Sequence, residues 1–167
     1  KNVISERFLN NVFAKNKFFD EAKPTILLNS HHDTVRPNKG YTLDPFSPDE
    51  KENKLFGLGS NDAGGALVSL IVTFLYFYEK NLQYNIIIAA TAEEEISGKN
   101  GVEILLPKLG KIDFGIVGEP TLMQMAVAER GLLVIDCLAE GKAGHAAREE
   151  GDNSIYKAIK DIEWFQS

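Results

Sequence analysis

Ala90-Thr-Ala-Glu-Glu-Glu-Ile-Ser-Gly98 follows directly on an apolar run, Ile86-Ile-Ile-Ala-Ala90. A short run of apolar, β-branched residues that ends in turn formers is typical of a strand buried on both faces of a sheet. Such strands belong to α/β folds, whose chemistry lies just past the carboxyl ends of the strands. Glu93, Glu94 and Glu95 would repel one another there, and a divalent cation would relieve that repulsion. On its own, a charge run is more often a solvated loop.

Composition narrows the class of protein. The 167 residues suffice for one domain, or for one domain and part of a second, and 44% of them are apolar. A net charge of -6 argues against a nucleic-acid partner. The single Cys137 excludes an intramolecular disulfide and suits a reducing compartment, so we expect a cytoplasmic protein. The apolar stretch from Ala66 to Tyr78 is shorter than the roughly 20 residues that span a bilayer, so no membrane partner is expected.

Two more buried strands end in residues that bind metals. Pro24–Asn29 runs into Ser30-His-His-Asp-Thr-Val35, and Asp113–Gly118 runs into Glu119. Because alternate residues of an extended chain share a face, His31 and Asp33 would point the same way, and His32 would point the other way. A histidine ligand commonly has its second ring nitrogen held by such a carboxylate.

Between these strands lie a glycine-rich segment and a helix. Leu55–Gly65 contains Asp62 where a dinucleotide fingerprint would need its third glycine, and it does not end as a P-loop does. Its glycines allow close approach of the backbone, which could place Asp62 in a crowded site. Gly65–Lys80 is apolar nearly all round and predicts a buried helix. The spacing of the apolar residues Phe8, Leu9, Val12 and Phe13 also favours a helix.

The pattern changes near Leu122, which predicts a first domain over residues 1–121 and a second over 122–167. Met123–Glu129 and Leu132–Ala139 predict a hairpin around Arg130-Gly131. A turn then presents His145. Asn153 is a plausible N-cap for a helix with Ile155, Ile159, Ile162 and Phe165 on one face. The chain lacks an initiator Met and ends inside that helix, so we expect a fragment of a longer protein.

The candidate ligands are imidazole and carboxylate groups with no cysteine among them, which suits zinc, cobalt or manganese. They are His31, Asp62, Glu95 and Glu119. A bridging carboxylate would allow two metals about 3.5–4 Å apart. A glutamate next to a ligating one, such as Glu94, could serve as a general base.

Six motifs in order make the chain recognisable as a whole. They are Ser30-His-His-Asp-Thr-Val35, Asp44-Pro-Phe46, Leu55–Gly65, Ala92-Glu-Glu-Glu95, Gly118-Glu-Pro-Thr121 and Gly144-His-Ala-Ala147. They resemble the dinuclear zinc amidohydrolases, the family that contains acetylornithine deacetylase, succinyl-diaminopimelate desuccinylase, aminoacylase and carboxypeptidase G. Gly118-Glu-Pro-Thr121 and Glu129-Arg-Gly131 are most similar to the acetylornithine and succinyl-diaminopimelate branch.

The resemblance implies an α/β fold: a partial, zinc-exopeptidase-like, three-layer αβα catalytic domain, followed by the start of an α+β lid or dimerisation domain. It also implies a role for each matching residue. His31 and Glu119 would bind the first zinc and Glu95 the second, with Asp62 bridging them. Asp33 would orient His31, Glu94 would be the general base, and His145 would reach the substrate carbonyl, in such dimers often from the partner subunit. Glu93 and His32 receive no role.

The implied reaction is hydrolysis of an N-acyl amino acid, with N-acetyl- or N-succinyl-ornithine in arginine biosynthesis as the favoured substrate. The family pattern also needs a late histidine for the second zinc, and this chain has only His31, His32 and His145. The isolated chain is therefore expected to bind the second metal poorly and to be inactive. Two alternatives stay open: a dipeptidase or carboxypeptidase with the same mechanism, and a metal-binding or dimerisation module without turnover.

Overall fold

The computed structural model describes residues 2–128, 130–131, 133–145, 147–148 and 150–167. These residues form two compact units, one that ends at Met125 and one that begins at Ala126. The strands of the first unit are β1 (Ser5–Phe8), β2 (Asn11–Lys15), β3 (Thr25–His31), β4 (Asp49–Lys51), β5 (Lys54–Phe56), β6 (Asn85–Thr91) and β7 (Phe114–Val117). Its helices are α1 (Ala66–Phe77) and α2 (Val102–Leu109), and the second unit contains α3 (Ser154–Gln166).

The first unit is built on a five-stranded mixed sheet with the order β1-β2-β6-β3-β7. The central strands β6 and β3 and the edge strand β7 run parallel to one another. His31 lies opposite Thr91, and Asn29 lies opposite both Ala89 and Val117. Parallel strands in this register end at one edge of the sheet. That edge therefore receives the residues that follow β3, β6 and β7.

Helices cover both faces of this sheet. Ile87 is fully buried on the face that packs against Leu105 and Leu109 of α2. Ile88 lies on the opposite face, in a cluster with Phe74 of α1. The continuous apolar runs of β3 and β6 are explained by this double cover, and the predicted three-layer α/β arrangement is confirmed.

The helix suggested by Phe8, Leu9, Val12 and Phe13 is wrong. The segment forms the β1–β2 hairpin, with Leu9 in a left-handed conformation at the turn (φ 54°). β2 pairs antiparallel with β6, which places Val12 opposite Ala90 and buries Phe13 against α2. The spacing of these apolar residues is compatible with a helix or a strand, and pairing with the central strand β6 decides in favour of a strand.

Two elements predicted to be buried are partly exposed. β7 is an edge strand with no described strand beyond it, and Phe114 and Val117 are more than half exposed. α1 buries only Phe74 fully, whereas Val68, Val72 and Tyr76 recur every four residues on its exposed face. Apolar composition predicted burial on every side, but one sheet covers only one side of a helix.

Among the described residues, one helical segment is long and apolar enough to cross a membrane by length and composition alone. It is Ser60–Phe77, with a mean hydropathy of 1.2 over 18 residues. Core helices of globular domains meet the same criterion, and Phe74 of this segment packs against the sheet.

In the second unit the predicted helix is present as α3, and the Asn153 side chain caps it by accepting a hydrogen bond from Ile155 N at 2.9 Å. The hairpin predicted over residues 123–139 is not formed by the described residues of that range; Glu129 and Leu132 lie outside them. Instead, Lys142 and Asp152 form an isolated bridge. A two-stranded ribbon needs a packed layer behind it, and Val134 and Leu138 are exposed here.

Candidate metal centre

The candidate centre lies at the sheet edge where β3 and β7 end. β3 finishes at His31, and Glu119 follows β7 by two residues. Two hydrogen bonds fasten these ends together: Ser30 Oγ donates to the Gly118 carbonyl at 2.8 Å, and Gly118 N donates to the Asn29 carbonyl at 2.8 Å. The register of parallel strands thus brings His31 and Glu119 to one place, as the sequence predicted.

Asp62 reaches the same place from an irregular helical turn, Ser60–Gly65, in which Asp62 itself has an extended conformation (φ -111°, ψ 104°). Gly59 precedes it in the left-handed region at φ 74°, and Gly64 N donates to the Gly59 carbonyl at 2.8 Å. A Cβ at Gly64 would lie 2.4 Å from that carbonyl oxygen. The turn that presents Asp62 therefore needs glycine at position 64.

The three side chains form a compact set of ligand atoms. His31 Nε2 lies 3.1 Å from Asp62 Oδ1 and 3.7 Å from Glu119 Oε2. One ligand atom from each of His31, Asp62 and Glu119 lies within 4.8 Å of the others. An imidazole and two carboxylates suit a divalent cation of borderline softness, so these residues fit a bound metal ion.

The other face of His31 is held by Asp33, although not in the predicted way. His31 Nδ1 lies 3.0 Å from the Asp33 backbone carbonyl and 3.5 Å from its carboxylate. The carboxylate instead accepts hydrogen bonds from Glu94 N at 3.4 Å and Glu95 N at 3.2 Å. Asp33 therefore orients the imidazole through its carbonyl, and it ties the end of β3 to the glutamates that follow β6.

The three glutamates after β6 point to different places. Glu94 Oε2 lies 4.0 Å from His31 Nε2, beside the three-residue group. Glu95 is half-buried and lines a cleft together with Asp62. Glu93 turns away and binds Asn100, a contact that the sequence did not predict.

The two remaining histidines lie outside this group. His32 donates from Nε2 to the Asn10 carbonyl at 2.8 Å, on the opposite side of the strand from His31. His145 belongs to the second unit, where its Nδ1 accepts a hydrogen bond from Ala147 N at 3.2 Å. The structure thus assembles His31, Asp62, Glu119 and Glu94, with Glu95 in the adjoining wall.

The cleft beside the centre has a volume of about 570 Å³. Its walls come from the loop before β4, which includes Tyr41 and Asp44, from the end of β5 at Phe56, and from the segment that follows β5. Asp44 comes from the motif Asp44-Pro-Phe46, for which the sequence predicted no residue role.

The electrostatics of the centre favour a charged imidazole in the metal-free protein. Burial lowers the pKa of His31, but the hydrogen bonds to the Asp33 carbonyl and Asp62, with the charges of Glu119 and Glu94, raise it by more. The net result is a pKa above the ordinary value of 6.5. A metal ion and a proton would therefore compete for this ring.

This competition predicts opposite pH trends with and without metal. In the presence of EDTA, the contribution of His31 to stability should be fully present below about pH 6.5 and lost as the pH rises through its raised pKa. With a metal bound, stability should instead increase with pH, because the ring must be neutral to bind. Melting temperatures from about pH 5 to about pH 9 would measure both trends. His31→Gln is the control, and equal pH profiles for it and the parent chain would contradict the prediction.

Residues 27–163 match peptidase family M20/M25/M40. Succinyl-diaminopimelate desuccinylase of Wolbachia pipientis wMel is 30% identical over 163 residues, covering 89% of this chain and 40% of that protein. Acetylornithine deacetylase of Buchnera aphidicola subsp. Schizaphis graminum (strain Sg) is 33% identical over 154 residues, covering 88% and 40%.

Among solved structures, human carnosine dipeptidase 1 aligns with a TM-score of 0.48 and 23% identity, over 65% of this chain and 25% of that chain. The chain spans about 40% of the length of the two curated relatives. The family match extends from β3 through most of α3 and includes every residue of the candidate centre. The chain therefore belongs to peptidase family M20/M25/M40.

Proposed function

We propose that this chain is the metal-binding part of a zinc-dependent amidohydrolase that removes the acyl group from an N-acyl amino acid. One observation carries the proposal: the carboxylate of Glu94 lies 4.0 Å from His31 Nε2, beside a compact ligand group to which it does not belong. A purely structural metal site has no use for such an additional carboxylate, whereas hydrolysis needs a general base.

His31, Asp62 and Glu119 would hold the first zinc. Asp62 and Glu95 face the same cleft, which supports a second metal position that these two carboxylates would help to hold. According to the family pattern, that position would need a further histidine. His32 instead hydrogen-bonds to the Asn10 carbonyl, and His145 belongs to the second unit. When bound, the metal ions would acidify a water molecule and polarise the substrate carbonyl.

The residues of the chain would then move one proton in two steps. Glu94 takes a proton from the attacking water as the carbon–oxygen bond forms. It delivers that proton to the amide nitrogen as the carbon–nitrogen bond breaks, so that a carboxylic acid and an amine are released. The Glu94 side chain is about half exposed, which leaves room for a substrate to approach it.

His145 is proposed to donate a hydrogen bond to the oxyanion. Its Nδ1 accepts from Ala147 N, so the proton of the neutral ring lies on Nε2, where it is available to a substrate oxygen. Such a donor is worth about 3–4 kcal/mol in the transition state. We propose, as the resemblance implies, that it acts from the partner subunit of a homodimer formed through the second unit.

The charge of the cleft supports a substrate that carries an amine. Asp44, Asp62 and Glu95 contribute carboxylates, and the described residues that line the cleft include no lysine or arginine. Bound metals would neutralise Asp62 and Glu95, which leaves Asp44 to attract a cation. N-acetylornithine, with its protonated side chain, fits this better than a neutral or acidic acyl amino acid does.

A substrate panel tests this proposal in the complete enzyme. We expect kcat/KM for N-acetylornithine to exceed that for N-acetylnorvaline, which has the same carbon chain without the amine, by about tenfold, equivalent to about 1.4 kcal/mol. Raising the salt concentration should reduce the ratio, because exposed charges are screened. Preferential cleavage of dipeptides would favour the dipeptidase alternative, and no hydrolysis of any amide would overturn the proposal.

A further inference from the structure

Glu93 makes a bidentate contact away from the candidate centre. Its Oε2 accepts a hydrogen bond from Asn100 N at 3.0 Å, and its Oε1 accepts one from Asn100 Nδ2 at 3.0 Å. The backbone of the same loop closes in parallel, since Gly98 N donates to the Glu93 carbonyl at 2.8 Å. Glu93 thus joins the first and last residues of the segment 93–100, which contains Glu94 and Glu95.

Asn11, in the neighbouring strand β2, hydrogen-bonds to the residue that precedes this segment and to the last residue of the segment. Its side chain is fully buried. Its Oδ1 accepts a hydrogen bond from Ala92 N at 3.0 Å, and its Nδ2 donates to the Asn100 carbonyl at 2.7 Å. The Asn11 side chain is therefore held rigidly, because breaking either hydrogen bond would leave a buried polar group without a partner.

The interior of the segment is filled by the Glu93 side chain. A Cβ at Gly98 would lie 2.2 Å from Glu93 Oε2 and 2.6 Å from Glu93 Cβ. Glu93 also adopts a left-handed backbone conformation at φ 61°, which is rare for a residue other than glycine, asparagine or aspartate. Such a conformation is strained and persists only where surrounding contacts fix it.

The other side of the segment is attached to the centre itself. The Asp33 carboxylate accepts from the amides of Glu94 and Glu95, and the Asp33 carbonyl lies 3.0 Å from His31 Nδ1. The loop that carries Glu94 and Glu95 is therefore attached at two places. Asp33 holds it on the side of the metal group, and Glu93 holds it on the side of the β1–β2 hairpin.

We propose that Glu93, together with Asn100 and Asn11, is a positioning residue that fixes the loop on which Glu94 and Glu95 face the metal group. It does not touch the reacting atoms; it acts through the backbone of its two neighbours. The inference rests on the proposed function only for the roles of Glu94 and Glu95, and its test requires no turnover.

The deciding measurement is amide hydrogen exchange, followed residue by residue by NMR. Glu93→Ala should increase the exchange rates of the Glu94 and Glu95 amides about tenfold or more, while those of Leu28 and Ile87 in the sheet stay unchanged. Glu93→Gln, which keeps one acceptor, should have a smaller effect in the same direction. Glu103→Gln, at an exposed glutamate of α2, removes the same charge without these contacts and should change nothing.

A paired exchange of the two side chains separates positioning from general loss of structure. Asn100→Asp alone places two carboxylates together and should loosen the loop as Glu93→Ala does. Adding Glu93→Gln restores a donor opposite the new carboxylate and should return the Glu94 and Glu95 exchange rates to near those of the parent chain. Unchanged exchange in Glu93→Ala, or failure of the double variant to recover, would overturn the inference.

The affinity of the same variants for Co²⁺ provides a second, independent measurement. Residues that orient metal ligands typically alter metal affinity by about 10- to 100-fold. Co²⁺ affinity and its visible absorption should change in Glu93→Ala and recover in the double variant, whereas Glu103→Gln should match the parent. If the parent chain binds no Co²⁺, the proposed function fails, and amide exchange still decides the role of Glu93.

Discussion

Replacing Glu94 with glutamine is expected to lower kcat of the complete enzyme by about 10²- to 10⁴-fold, the usual contribution of a general base. Glutamine has nearly the same shape but cannot accept the proton of the attacking water. Metal binding should be unaffected, because the compact ligand group consists of His31, Asp62 and Glu119, and Glu94 Oε2 lies 4.0 Å from the imidazole. Loss of turnover with intact metal content would therefore identify the base.

Two measurements on the same preparation are needed, steady-state kinetics and metal content by mass spectrometry. Glu103→Gln is the matched control, since it makes the same chemical change at an exposed position of α2 and should leave both quantities as they are. Full activity in Glu94→Gln would show that another group takes the proton. Loss of metal together with activity would instead make Glu94 a ligand.

Asp62→Asn is expected to abolish metal binding at working concentrations, with a decrease in affinity of about 100-fold or more. Removing a residue that only orients a ligand already lowers metal affinity by about 10- to 100-fold, and Asp62 would be a direct ligand in the proposed site. Its Oδ1 lies 3.1 Å from His31 Nε2, closer than the carboxylates of Glu119 and Glu94. An amide keeps the volume but removes the negative charge that holds a cation.

Competition with a chromophoric zinc chelator would measure this affinity. Asp44→Asn makes the same substitution in the same cleft, outside the ligand group, and should bind zinc as the parent does. Parent-like affinity in Asp62→Asn would remove Asp62 from the centre. A decrease in both variants would point to the general negative field of the cleft rather than to ligation.

The parts of the site that the sequence predicted are those that follow from strand ends. β3 and β7 read as apolar runs that stop at His31 and Glu119, and parallel neighbours must stop at one edge. Asp62 was predictable because it is the single carboxylate of a glycine-rich segment whose backbone can approach other groups closely. The α/β class followed from the same runs, since strands buried on both faces belong to sheets covered by helices. The three-layer arrangement was expected from the family resemblance.

The parts that it did not predict depend on partners far away in the chain. Phe13 has a helical spacing, yet its place is set by pairing with β6, about 75 residues further on. The direction of Glu93 depends on Asn11 and Asn100, which no local pattern connects to it. The exposure of Val72 and Val117 likewise depends on what covers α1 and β7, which composition does not reveal.

The arrangement of the ligands at the ends of long-range strand pairs has a thermodynamic consequence. Asn29 pairs with Ala89 and with Val117, so the sheet edge exists only once segments from three distant parts of the chain have joined. An unfolded chain offers the ligands no common geometry, and a cation therefore recognises the native state alone. Its binding free energy would then add in full to the free energy of unfolding, by about 2.7 kcal/mol at a free metal concentration of 100 Kd.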